Sequence, residues 1–386
     1  MGRRPPRSRL LLSRRVPLLG ALLLVTACGG GPAPQAPATT GPPSSTAPPQ
    51  PRAAAARFLA GYVDDDGRVV RRDQGGDTVS EGQAYGLLLA VQAGDEAAAQ
   101  RIWSWTARHL LRPDGLLSWQ WEDGSVVDAN SASDADLYAA HALVLAGARF
   151  DDPDLRAAGE DLARAVLDEE TVRTPAGRVL LAGNWAAASR PWVVNPSYLV
   201  PLSVGALAEA VPDSRWAELR SGSAAVLREL LDQAPLPPDW AEVADDGSVT
   251  AVPPPAGGSG AESRTGFGLD AARVVVQQAA SCDPGDREGI APLADVLVRE
   301  AADVRGRYDL RGRATVDWSH PLALVAAAAA ADAGGDSTRA RELLRAAAAL
   351  DEGTPTYYGA AWVALGAGML TPDADDPLGG CGAGGV

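Results

Sequence analysis

Four side chains stand in surroundings suited to acid–base work. Glu81 lies in Ser80-Glu81-Gly82-Gln83-Ala84-Tyr85-Gly86, and Asp134 lies with Asp136 in Asn130-Ser131-Ala132-Ser133-Asp134-Ala135-Asp136. Asp270 precedes Arg273 by three residues. That spacing puts the pair on one helix face, where the guanidinium keeps the carboxylate ionised. One protonated and one ionised carboxyl make a general acid and a general base. Aromatic residues accompany these acids. Trp119 and Trp121 follow Asp114-Gly115; Trp185 and Trp192 precede Asn195-Pro196-Ser197-Tyr198; Trp318 stands in Asp317-Trp318-Ser319-His320. Indole faces stack on sugar rings and carboxyl pairs cleave glycosidic bonds, so the combination points to carbohydrate chemistry.

Each of these residues also has a plainer reading. An acid in the first turn of a helix is a favourable dipole partner, and that dipole favours the carboxylate. Glu81 keeps a proton only where burial and the charge of Asp134 outweigh the dipole. Asp136 reads as a structural hydrogen-bond acceptor. Trp103 and Trp105 lie inside a helix and read as packing, and His109, His141 and His320 read as structural. Tyr357 and Tyr358 open the last helix, where one can reach the site.

The elements that must position these groups are helical. Between residues 53 and 371 apolar residues recur at three- and four-residue spacing, with almost no strand alternation. The pattern predicts twelve helices: 53–62, 80–94, 96–111, 132–149, 153–168, 196–211, 214–233, 266–281, 290–304, 319–334, 336–351 and 355–369. Short linkers follow the second, fourth, sixth and tenth, and long ones precede most even-numbered helices. Helices joined by short loops form antiparallel hairpins. The long loops and the acids then gather at one end. The expectation is an all-α fold, an (α/α)6 barrel of six helical hairpins. An open solenoid would need a fixed repeat, which the uneven helix starts lack.

The Ser80–Gly86 run, then Ala132-Ser133-Asp134-Ala135-Asp136, then Asp270-Ala271-Ala272-Arg273 resemble glycoside hydrolase family 8, over about residues 55–370. Asn195-Pro196-Ser197-Tyr198 adds to the likeness. The family includes bacterial endoglucanases, chitosanases, lichenases and xylanases on an (α/α)6 barrel. The resemblance implies an inverting hydrolase with Glu81 as acid and Asp270 as base. It implies that Asp134 binds and distorts the sugar at the cleavage point. Arg273, Trp119, Trp121, Tyr198, Trp185 and Trp318 complete the expected substrate-binding set. Leu269 stands where many members carry a Tyr beside the base, and Ala139 and Phe150 replace a larger aliphatic residue and a Trp of the family signature. The implied substrate is a β-1,4-linked polysaccharide, cellulose-like β-glucan first and chitosan or xylan second. A glycan-binding protein without turnover is the rival from another class, and a protein-binding helical scaffold the third.

Composition and the chain ends narrow the setting. The 386 residues carry a net charge of −15, and all 34 cations are Arg. That balance argues against a broad nucleic-acid-binding surface. Three His and three Cys, widely spaced, argue against a zinc site; neither a metal nor a cofactor is expected. Residues 1–27 hold six Arg and then an apolar run, the pattern of an export signal by the general or twin-arginine route. The run ends in Val25-Thr26-Ala27-Cys28, similar to a lipoprotein processing site that leaves Cys28 as lipid anchor. Residues 28–52 then form a Pro/Ala/Ser/Thr-rich tether, 53–371 the enzymatic domain, and 372–386 an acidic, then Gly-rich tail. Cleavage leaves 28 Arg against 49 acids, a charge of −21, which favours neutral or cationic ligands. Cys282 and Cys381 are expected to pair in an oxidising compartment. A monomer at the outer face of the cell membrane, or secreted, is expected, touching the membrane only through the lipid.

Overall fold

A computed structural model describes residues 47–255, 264–371 and 377–378. The expected signal, Cys28, most of the tether, most of the tail and Cys381 lie outside the described residues. Among the described residues are thirteen α-helices. They are α1 (Pro51–Tyr62), α2 (Ser80–Ala93), α3 (Glu96–His109), α4 (Ser133–Phe150), α5 (Pro153–Glu169), α6 (Pro201–Ala210) and α7 (Ser214–Gln233). There follow α8 (Leu269–Ala279), α9 (Pro284–Ile290), α10 (Ala294–Leu297), α11 (Pro321–Ala333), α12 (Ser337–Gly353) and α13 (Tyr357–Leu370).

Helices alternate between two environments, as their compositions require. In α2, twelve of fourteen residues are buried; in α3, five of fourteen are. The same contrast separates α11 from α12. A helix that is apolar all round must be enclosed, whereas one with a single apolar stripe lies outside. The enclosed helices and the less buried α6, with four of its ten residues buried, meet in sequence: α2 touches α4, α4 touches α6, α6 touches α8, α8 touches α11, α11 touches α13, and α13 touches α2. Small residues bring them close. Leu322–Ala331 of α11 is wholly buried and ends in six successive alanines, Ala326 to Ala331. Outer helix α5 crosses α4 at Gly159, where a Cβ would lie 2.8 Å from the Ala140 carbonyl oxygen.

Outer helices are capped by aspartates. Asp95, Asp152, Asp213 and Asp336 accept backbone N–H groups at the starts of α3, α5, α7 and α12. The enclosed helices α2, α4 and α8 have no side-chain cap on the preceding residue.

Two expected helices differ. The one read from residue 196 starts at Pro201 instead. Asn195 Oδ1 accepts the Ser197 N–H at 3.0 Å and the Ser197 hydroxyl at 2.7 Å, so the chain turns there, and Val200 before Pro201 is held extended. The helix read over 290–304 breaks into α9, two 3-10 turns and α10, because Pro292 lacks an N–H and obstructs the preceding turn. The N-terminal helix begins at Pro51, two residues inside the expected tether.

The long loops also hold strands that helical periodicity did not predict. Strands β1 (Thr78–Val79), β2 (Gln120–Glu122) and β3 (Ser125–Asp128) form one antiparallel sheet. Strands β4 (Thr171–Thr174) and β5 (Gly177–Leu180) form a hairpin. Strands β6 (Trp192–Val194), β7 (Trp240–Val243) and β8 (Val249–Val252) form a second sheet. The second sheet packs with α7 and the β5 region into a small core containing Trp192, Val226 and Val243, apart from the main helical core. Cys282 is disulfide-bonded.

Candidate active site

Three enclosed helices present an acid in the same place. Glu81, Asp134 and Asp270 are each the second residue of their helix, in α2, α4 and α8. Strand pairing brings Val79, just before α2, against Gln120, and the Ser80 N–H donates to the Trp119 carbonyl at 2.9 Å. The start of α2 is thereby tied to the loop that leads into α4.

Arg273, one turn beyond Asp270 and 1% exposed, joins all three acids. Its Nη1 donates to Glu81 Oε1 at 2.7 Å and to Asp134 Oδ2 at 2.8 Å, while Nη2 donates to Asp270 Oδ1 at 3.1 Å. The expected service of Arg273 to Asp270 alone is therefore too narrow. Nη1 also donates to the Tyr85 hydroxyl at 3.0 Å, and that hydroxyl donates to Glu81 Oε1 at 2.9 Å. Tyr85 in turn packs edge-on against Tyr138 and Trp362. Asn195 Nδ2 donates to Asp270 Oδ2 at 3.0 Å, so each oxygen of that carboxylate has one protein donor.

Burial raises the Glu81 carboxyl to about 7. Arg273 and the Tyr85 hydroxyl pull it down, and Asp134 and Asp270 push it up. The Glu81 side chain nevertheless remains 19% exposed, so its proton can be exchanged with a ligand. Asp134 is raised as well, by burial against the pull of Arg273. Desolvation outweighs the pull of Arg273 and the Tyr85 hydroxyl at Glu81, the condition a general acid requires.

The acids open into a cleft of about 570 Å³. Trp119, Tyr198 and Trp318 line it, as does Leu269 beside Asp270. Trp318 is 44% exposed, and its ring lies over Gly306, where a Cβ would be 1.6 Å from the ring. The structure does not bring Trp121 or Trp185 to this cleft. Trp121 packs edge-on against Trp105 at 5.3 Å and under Arg68 at 4.5 Å, and the β2–β3 register slips between Gln120 and Trp121, which breaks the plain alternation that would align it with Trp119. Trp185 stands exposed in a 3-10 turn at Asn184–Ala188. Trp192 is buried in the second core with Arg190 over its ring.

Several groups at the cleft escaped the sequence. Arg71, Asp73, Asp239, Trp240 and Arg307 line it, and each comes from a loop or strand whose spacing marks nothing. His320 also lines it: its Nδ1 accepts the Leu322 N–H at 3.1 Å, which caps α11 and leaves the ring proton on Nε2. Burial lowers this imidazole to about 4, so it stays neutral. Asp136 turns away from the cleft, accepts the Leu117 N–H at 2.8 Å and meets the buried Glu170. Among the described residues no cluster of His, Cys, Asp and Glu is arranged to hold a metal, and no helix is long and apolar enough to cross a membrane.

Known proteins resemble this chain in sequence and in fold. An endoglucanase of Xanthomonas axonopodis pv. citri (strain 306) is 37% identical over 198 residues, covering 47% of this chain and 50% of that protein. A probable endoglucanase of Novacetimonas hansenii is 37% identical over 194 residues, covering 49% and 57%. The matched segment thus spans about half the length of these curated relatives. The solved endo-beta-1,4-glucanase CMCax from Acetobacter xylinum superposes with a TM-score of 0.68 at 28% identity, over 82% of this chain and 96% of that one. The endo-1,4-D-glucanase from Vibrio fischeri ES114 shares the fold, with a TM-score of 0.72 at 23% identity over 84% and 97%. The family model for glycosyl hydrolases family 8 matches residues 49–371, nearly the whole described chain with all three acids and Arg273 inside it, and the chain belongs to that family.

Proposed function

We propose that the protein is an inverting endo-β-1,4-glucanase that acts on a cellulose-like β-glucan, exported and held to the outer face of the membrane by a lipid on Cys28. One observation carries the catalytic part. In a single open cleft, Arg273 gathers three acids while Glu81 is raised to about 7 and stays reachable. In this reading Asp270 takes a proton from water as the water oxygen bonds to the anomeric carbon. The glycosidic C–O bond breaks, and Glu81 gives its proton to the leaving oxygen. Asp134 holds the sugar at the cleavage point, and Trp119, Tyr198 and Trp318 offer apolar faces to neighbouring rings. The names of the matched relatives support β-glucan as substrate. We also read α2, α4, α6, α8, α11 and α13 as the inner ring of an (α/α)6 barrel, which the contact of α13 with α2 supports. The anchor rests on the pattern of residues 1–28 alone, and loss of membrane association in Cys28→Ala tests it.

Leu269 favours a second reading. It lines the cleft beside Asp270 and offers no hydroxyl, as suits a glycan-binding protein without turnover. Reducing-end release from carboxymethylcellulose, mixed-linkage β-glucan, xylan and chitosan separates the two. Release on a β-glucan, reduced about 100-fold or more by Glu81→Gln, supports the enzyme. Release only from chitosan or xylan changes the substrate, and binding without release supports the second reading. Inversion predicts that the first product anomer is α, which proton NMR of early product reads directly.

A further inference from the structure

The helix that carries Asp270 and Arg273 lacks a cap from its own chain neighbour, since residue 268 is glycine. A carboxylate from a distant loop fills that place. Asp239, just before β7, accepts through Oδ1 the N–H of Gly268 and the N–H of Ala271, both at 2.9 Å. These two N–H groups flank Asp270 in the sequence. Asp239 Oδ2 accepts from Arg307 Nη1 at 3.1 Å, and Arg307 Nη2 donates to the Arg264 carbonyl at 2.6 Å. The backbone of Asp239 is fixed too, its N–H donating to Gly266 O at 2.9 Å. Asp239 and Arg307 side chains are 8% and 10% exposed. The fit has no spare room, because a Cβ on residue 268 would lie 2.6 Å from Asp239 Oδ2 and 2.9 Å from Arg307 Nη1.

We propose that Asp239, clamped by Arg307, is a positioning residue that caps α8 from another loop and so sets the aim of the Asp270 carboxylate. Of the three helices that present an acid, α8 is the one whose acid must face a water rather than a sugar oxygen. The placement of a water activated by Asp270 depends on how firmly that base is held. A side-chain oxygen bonded to the N–H just before the helix and to one in its first turn fixes that turn, and the second carboxylate oxygen fixes the cap itself. Other charges around Asp270 come from Arg273 on its own helix and from Glu81 and Asp134 on α2 and α4. None of these reaches the N–H groups of the first turn of α8.

This inference rests on the reading of Asp270 as base. The test is steady-state kinetics of the full-length protein on a soluble β-glucan, at a temperature where melting curves show each variant folded. Asp239→Ala should lower kcat about tenfold or more while KM stays within about twofold, as expected for a group that serves only the transition state. Asp213→Ala removes the cap of outer helix α7 and should leave kcat within about twofold. If Asp239→Ala does not fold, Arg307→Met replaces it and should lower kcat in the same way by a smaller factor. Unchanged kcat in the folded variant overturns the proposal. So does a rise in KM at constant kcat, which would make Asp239 a sugar contact. Asp270→Asn is measured alongside. If it keeps turnover, the base assignment falls and this inference with it; if it is dead while Asp239→Ala keeps its kcat, this inference alone falls.

Discussion

Asp134 and Asp136 sit two residues apart at the start of α4, both buried, yet their charges are handled in opposite ways. Asp134 faces a guanidinium, which is charged at any accessible pH. Asp136 faces a second acid, Glu170, and Asp136 Oδ2 and Glu170 Oε2 are both buried without a donor. Two carboxyl groups can bond only if one of them holds a proton, and burial raises both, Glu170 to about 8. Arg112 pulls the other way only weakly. Glu170 Oε1 also takes the Ser131 hydroxyl at 2.6 Å, and Ser131 Oγ accepts the Asn184 N–H at 2.9 Å. The pair thus fastens the loop before α4 to the strand region after α5. Burial is common to both clusters, so the partner decides the role. A permanent cation leaves acids with charge to use on a ligand; a shared proton cancels the charge and leaves a clasp.

The largest expected effect breaks the first cluster. Arg273→Met leaves three neighbouring acids without their cation, so turnover should vanish and the fold should lose about 3–5 kcal/mol, read by denaturant unfolding. Unimpaired stability would mean that Arg273 does not hold the acids together.

Glu170→Gln sharpens the other side. An amide N–H takes the place of the shared proton, so kcat and KM should stay within about twofold. The pH dependence of stability should change instead. Glu170 titrates near 4.5 when unfolded and near 8 when folded, so between these values the native state holds the extra proton. Raising the pH through that window lowers wild-type stability: the contribution is full below 4.5 and gone above 8. The variant should fall less than wild type, keeping only the fall that Glu81 and the other raised acids still cause, and melting curves at pH 5, 6.5 and 8 compare the two. A parallel fall in both would remove the proton from the clasp.

The smallest effects extend the contrast to the indoles. Trp318→Ala should raise KM about 2- to 10-fold with little change in melting. Trp121→Ala should leave KM alone and lower the melting temperature through lost packing on Trp105 and Arg68. Equal effects on KM would place Trp121 back in the substrate path.

Much of the scaffold was legible because its signals are local. Enclosed helices such as α2 and α11 announce themselves by unbroken apolar runs, and Glu81, Asp134 and Asp270 stand at helix starts that the pattern already marks. Other features were local but passed over. Asp123-Gly124, both at positive φ, is the two-residue turn of the β2–β3 hairpin, and helical periodicity masked it. Pro201 and Pro292 likewise mark boundaries that the apolar spacing alone ran through. The rest is nonlocal. Nothing near residue 239 names Arg307, and nothing near residue 136 names Glu170; only the fold brings them together. Trp121 and Trp119 look alike in sequence, and plain alternation would give them one face; a slip of register between Gln120 and Trp121, invisible in the sequence, separates their fates.

The six alanines of α11 carry a thermal consequence. An alanine has no rotamers to freeze on folding and none to release on melting. Most of a core gains side-chain freedom when heated, but Ala326 to Ala331 can gain only backbone freedom. Per residue, this stretch therefore offers heat the smallest entropic reward for coming apart, and it lies against α8, the helix that bears Asp270.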